Sequence, residues 1–208
     1  MNESDPDRQL FEKALGGWKG LLDSGLPAAI FLILYLPTLN LNLALYSALA
    51  VGLVIFFWRI VKRETLSQVV AGFVGLGISV YITYRTNNAA NFFLTGLITN
   101  AAYGLFFAGS ILIKRPLLAY LIGAISGNTQ AWLETPALRR VAVNLTWFWV
   151  GLFAVRLLVQ IPLYFNQSVG WLGTARLFMG WPLYLLAVYL TYRIAKTARD
   201  TYLKPDSN

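Results

Sequence analysis

The stretch Ser24–Trp58, SGLPAAIFLILYLPTLNLNLALYSALAVGLVIFFW, decides the architecture of this chain. It runs 35 residues without a charged side chain. A helix that crosses the roughly 30 Å hydrocarbon layer of a bilayer needs about 20 apolar residues, so the run is too long for one span. Pro37, Asn40 and Asn42 supply a turn near its middle. The stretch therefore reads as a transmembrane helical hairpin over about 25–39 and 41–58, closed by the basic loop Arg59, Lys62 and Arg63.

Composition agrees with that reading. The 208 residues are 57% hydrophobic and 12% charged, about half the charged fraction of a soluble domain. A net charge of +8 raises nucleic acid as a partner. The bases lie in short clusters beside apolar runs rather than on one soluble face, which excludes nucleic acid. The chain holds no Cys and no His, so disulfides, thiolate nucleophiles, Cys/His zinc sites and imidazole acid–base catalysis are all excluded. None of its nine acidic residues falls mid-span, so no buried-carboxylate proton relay is expected. No metal site, cofactor or enzyme activity is expected.

Outward from the hairpin, four further spans are expected over about 66–84, 92–113, 141–162 and 171–192, the last kinked at Pro182. The apolar run 117–126 is too short to cross and reads as an interfacial or re-entrant segment. Residues 8–23 place Leu10, Phe11, Ala14, Leu15, Trp18, Leu21 and Leu22 at helical spacing opposite charged residues, the pattern of an amphipathic helix on the membrane surface. The expected fold is an all-α, polytopic transmembrane bundle of about six spans. It comprises an N-terminal segment 1–23, one membrane domain 24–195 and a tail 196–208.

Six spans sort the bases. Fourteen of the 17 Lys and Arg fall on the side of the termini, and Arg85 alone falls opposite. Basic residues beside spans are retained in the cytoplasm, so the sequence predicts a multi-pass protein of the bacterial inner membrane with both ends cytoplasmic. Five or seven spans would scatter the clusters. Arg156 and Arg176 are the two bases inside apolar runs. At 1.5 Å per residue, Arg156 lies about 22 Å past Val141 and Arg176 about 7 Å past Trp171, which puts both in the outer half beside Arg85.

An Arg at mid-span costs at least about 2.5–3.5 kcal/mol. Two readings of the three arginines stay open. They snorkel to headgroups or bond to carbonyls near Pro162 and Pro182, or Arg85, Arg156 and Arg176, with Gln160 nearby, form an outer-leaflet pocket for an anionic headgroup or small anion. Gly96, Asn100, Gly104 and Ala108 recur every four residues and are expected to form a helix-packing stripe. Tyr35, Trp58, Tyr84, Tyr164, Trp171 and Tyr192 fit an interfacial aromatic belt. Ile161-Pro162-Leu163-Tyr164 is echoed faintly by Trp181-Pro182-Leu183-Tyr184.

Several segments carry a resemblance. Gly16-Gly17-Trp18-Lys19-Gly20 leading to Ser24-Gly25-Leu26-Pro27 resembles the opening of an actinobacterial membrane family, domain of unknown function family 3159. So do Asn100-Ala101-Ala102-Tyr103, Lys114-Arg115-Pro116-Leu117, the segment Arg156 to Tyr164, and Gly180-Trp181-Pro182-Leu183-Tyr184. The likeness covers about residues 14–195. More distantly, 114–117, Leu138-Arg139-Arg140 with Asn144, and Trp171 with Arg176 are similar to the intracellular septation protein A family, in which Arg156 has no clear counterpart. The resemblance implies a non-enzymatic role in envelope maintenance or septation, worked through the bilayer and through other membrane proteins or further copies of the chain. The alternative is a transporter, channel or lipid-binding protein built on the arginines.

Overall fold

The structure, a computed structural model, describes residues 17–62 and 66–203. Among these residues there are nine α-helices, one 3-10 turn and no strand, so the all-α expectation holds. In chain order the helices are α1 Gly17–Thr38, α2 Leu41–Val61, α3 Leu66–Thr86, α4 Leu94–Leu112, α5 Leu117–Ser126, α6 Thr129–Glu134, α7 Pro136–Phe165, α8 Val169–Phe178 and α9 Trp181–Leu203. The 3-10 turn, Ala89–Phe93, leads into α4.

Five stretches of helix are long and apolar enough to cross a membrane: Leu41–Val61, Val69–Thr86, Ala89–Leu112, Pro136–Phe165 and Val169–Tyr202. Gly25–Thr38 is a shorter apolar helix, the second part of a 22-residue α1 that runs without a break through Ser24. Residues 8–16 of the amphipathic segment lie outside the described residues.

The chain divides into two compact units. The first comprises the residues up to Ile98 together with Val159–Trp181; the second comprises Thr99–Leu158 and the chain from Pro182 onward. In the first, α1 and α2 form the hairpin. Its turn falls at Leu39, which takes a left-handed φ of 51°, while Asn40 caps α2 by accepting from the Leu43 amide at 3.0 Å. Pro37 is inside α1 rather than in the turn.

The loop after α3 does not stay at the surface. Asn88 accepts from the Ala90 amide at 3.0 Å and starts the 3-10 turn, which buries Phe92 and Phe93 in the apolar core with Phe31, Leu45 and Leu172. Phe31 and Phe92 stack with ring centres 4.1 Å apart. Helix α8 joins this core because Gly173 and Gly170 leave room for Leu32 and Leu36 of α1.

The stretch read as one kinked sixth span forms two helices, α8 and α9. The break sits at Met179–Gly180, where a Cβ at Gly180 would lie 2.7 Å from the Arg176 carbonyl oxygen. Pro182 then falls in the first turn of α9, where its missing N–H needs no partner.

In the second unit α5 and α6 pack on α7 and α9 through Leu118, Ala119, Ile122, Trp132, Leu138, Ala142, Leu145, Ala195 and Ala198. A second cluster joins Leu152 and Phe153 of α7 to Ala187 of α9.

Candidate functional site

Helix α7 has one buried face. Leu138, Ala142, Leu145, Leu152, Arg156 and Gln160 are all buried and recur at steps of three, four and seven residues. Trp147, Phe148, Val155, Leu158 and Ile161 are exposed on its other side. Arg156, only 9% exposed, thus faces inward. A guanidinium reaching along the helix surface to lipid phosphates would lie on the exposed face instead.

What surrounds Arg156 in the second unit is aromatic. Its guanidinium carbon lies 4.7 Å from the centre of the Tyr184 ring, over the ring face. Phe153, one turn earlier, has its ring centre 6.3 Å from that of Tyr184, 6.1 Å from Tyr103 and 6.1 Å from Trp149. Trp149 Nε1 donates to Thr191 Oγ1 at 3.0 Å, fixing α7 to α9. Helices α4 and α7 contain no carboxylate, and the one in α9, Asp200, lies 16 residues beyond Tyr184. The negative face of the tyrosine ring is therefore the electrostatic partner the chain supplies. The guanidinium carbon lies over the ring, and at the edge of the group Arg156 Nε is buried with no hydrogen-bond partner. That edge is a planar fork suited to two oxygens of a phosphate or carboxylate.

The other arginines have separate surroundings. Arg176, in the first unit, is half-buried, with its guanidinium carbon 5.5 Å from the Phe93 ring centre. Arg85 is exposed at the end of α3. Gln160 is 4% exposed and its Nε2 has no hydrogen-bond partner. Six residues past Arg85, Asn91 is built into the first unit: its Nδ2 donates to Thr86 Oγ1 at 2.8 Å, and its Oδ1 accepts from the Tyr164 hydroxyl at 2.5 Å.

The four-residue stripe of α4 divides by partner. A Cβ at Gly96 would lie 2.8 Å from the Arg176 guanidinium carbon, so this glycine makes room for a cation. Asn100 Nδ2 donates to the Phe153 carbonyl at 3.3 Å, and a Cβ at Gly104 would lie 3.2 Å from Phe153 Cβ. Those two positions do let α4 approach α7. Ala108 is half-buried.

With this geometry in place, comparison with known proteins adds one match. The model of a family described as "Protein of unknown function (DUF3159)" matches residues 15–201. The chain belongs to this family. No curated protein and no solved structure matches it.

The match spans both compact units of this family member, and hence Arg156, Tyr184, Arg176 and Gly96 alike. Among its described residues no group of three or more carboxylates could hold a metal ion. Sequence reasoning missed Tyr184 beside Arg156. The faint echo of 161–164 in 181–184 was the available signal. Its two tyrosines, Tyr164 and Tyr184, are the ones that hold Asn91 in one unit and underlie Arg156 in the other.

Proposed function

We propose that this chain is a multi-pass protein of the bacterial cytoplasmic membrane that binds an anionic group, phosphate or carboxylate, at Arg156. The observation that carries the reading is a nine-tenths-buried arginine whose guanidinium carbon lies over the Tyr184 ring, with its Nε unpartnered and no carboxylate in the apolar parts of the helices around it. Taking α1 as a sixth crossing, the distribution of bases supports both termini in the cytoplasm and Arg156 in the outer half of the bilayer. The resemblance to septation proteins supports a non-enzymatic cell-envelope setting, in which the bound group belongs to a lipid headgroup or an envelope solute. Co-purification from membranes tests that setting, and recovery of no specific membrane partner counts against it.

The test of the site is the Arg156→Gln variant, with Arg156→Lys beside it, in folded full-length protein. Binding is read by native mass spectrometry with phosphatidylglycerol and, separately, with inorganic phosphate. Loss of lipid alone identifies a headgroup site; loss of both identifies a site for free anion. Arg156→Lys keeps the charge without the planar fork and should bind in between. Unchanged binding of both probes by Arg156→Gln refutes the assignment.

A further inference from the structure

Helix α5 has ten residues, about 15 Å at 1.5 Å per residue, half of what a crossing needs. Both its flanks lie at the same end of the second unit, because Arg139 Nη2 donates to the Lys114 carbonyl at 2.9 Å. The chain therefore leaves the end of α4 and returns to the start of α7 without crossing. The turn is held firmly: Ser110 Oγ accepts from the Leu117 amide at 3.1 Å and the Ser110 carbonyl from the Arg115 amide at 2.9 Å.

One face of α5 is buried through Leu118, Ala119 and Ile122. The other is exposed through Tyr120, Leu121, Ala124 and Ile125, with Leu121 at 46% and Ile125 at 50%. The Tyr120 hydroxyl is the one polar side-chain group on that second face. Around it stand Lys114, Arg115, Arg139 and Arg140, all exposed. The one carboxylate between residues 113 and 140, Glu134, accepts from Gln130 at 2.9 Å. An apolar face with one tyrosine, flanked in sequence by four bases and one acid, is complementary to the boundary between acyl chains and anionic headgroups.

We propose that α5 lies in the surface of a leaflet containing anionic phospholipid, its Leu121 and Ile125 face among the upper acyl segments and Lys114, Arg115 and Arg140 on the phosphates. The site is separate from Arg156. In the orientation proposed above, the leaflet is the cytoplasmic one.

The chain has no cysteine, so single nitroxide labels on Leu121→Cys, Ile125→Cys and Gln130→Cys report local surroundings without background. In full-length protein reconstituted into vesicles of mixed phosphatidylcholine and phosphatidylglycerol, the Leu121 and Ile125 labels should be open to oxygen and shielded from a nickel chelate. Their depth should be about 5–10 Å into the boundary region, while the Gln130 label stays open to the chelate. Chelate access at Leu121 and Ile125 equal to that at Gln130 overturns the proposal. Shielding from both oxygen and chelate also overturns it, since that marks a face covered by protein. In native mass spectrometry, the Lys114→Gln, Arg115→Gln and Arg140→Gln triple variant should lose at least about fivefold in its preference for phosphatidylglycerol over phosphatidylcholine. An unchanged preference overturns the headgroup assignment, and Arg156→Gln should leave the α5 labels where they are.

Discussion

The contact between Gly96 and Arg176 can be tested by a double-mutant cycle. In Gly96→Ala the new methyl would lie 2.8 Å from the guanidinium carbon and from Nη1, where ordinary contact is about 3.5–4.0 Å. The guanidinium must retreat by roughly 0.7–1.2 Å. It already lies 5.5 Å from the Phe93 ring centre, close to the distance of about 6 Å at which cation–π attraction fades. A retreat away from the ring removes most of an attraction of about 0.5–2 kcal/mol. Replacing a helical glycine by alanine contributes up to about 0.5–1 kcal/mol in the opposite direction. Gly96→Ala alone should consequently look nearly neutral, and the single variant is uninformative. In an Arg176→Ala background the same change should be plainly stabilising, because nothing opposes the methyl. The coupling energy from reversible denaturation in mixed micelles, followed by far-ultraviolet circular dichroism, should fall at about 0.5–2 kcal/mol. Additivity within about 0.3 kcal/mol would mean that the two residues do not constrain each other and would refute the reasoning.

Other expectations concern the packing around the sites. Tyr164→Phe removes the 2.5 Å hydrogen bond to Asn91 and leaves Oδ1 of a buried amide unpaired. It should lower stability by about 1–3 kcal/mol in the same unfolding assay. In Gly123→Ala the methyl would meet the Thr129 Cα at 2.5 Å, and backbone cannot yield as a side-chain tip can. A loss of about 1–3 kcal/mol is expected, with faster proteolysis between Ser126 and Glu134. Gly109→Ala, which meets nothing within 4 Å, is the control and should be neutral or slightly stabilising.

The bilayer made much of the fold legible. Charge is so costly inside hydrocarbon that an uncharged run such as 24–58 reads as more than one apolar helix, although five rather than six stretches are long enough to cross. Helix ends were less legible. Left-handed turns usually fall to glycine or asparagine, yet Leu39, Lys114 and Gln167 also take positive φ, at 51°, 58° and 54°. Among the described residues only Asn87 and Gly127 follow the usual preference. The break at Met179–Gly180 was hidden as well, since Pro182 two residues later drew attention to a kink. Which face of each helix is buried was the hardest to read. In water a buried face announces itself by apolar periodicity. In lipid both faces are apolar, so the stripe from Leu138 to Gln160 carries no such contrast. Besides Thr146, its polar members Arg156 and Gln160 betray it.

Those two polar members also explain why the inward placement of Arg156 bears on function. A charge buried in a soluble core is ordinarily held by a carboxylate, because breaking such a pair leaves an uncompensated ion. Helices α4, α7 and α9 place no carboxylate in their apolar parts, and Tyr184 takes that position instead. A desolvated cation–π contact contributes about 2 kcal/mol, against at least about 2.5–3.5 kcal/mol for an arginine at mid-span. The ring alone leaves a shortfall. A lipid-facing arginine would close it by reaching the phosphates, but the buried face of α7 closes that route to Arg156. Its Nε instead ends in the interior without a partner. An anion brought to that edge would add the charge-assisted hydrogen bond that Nε leaves unmade.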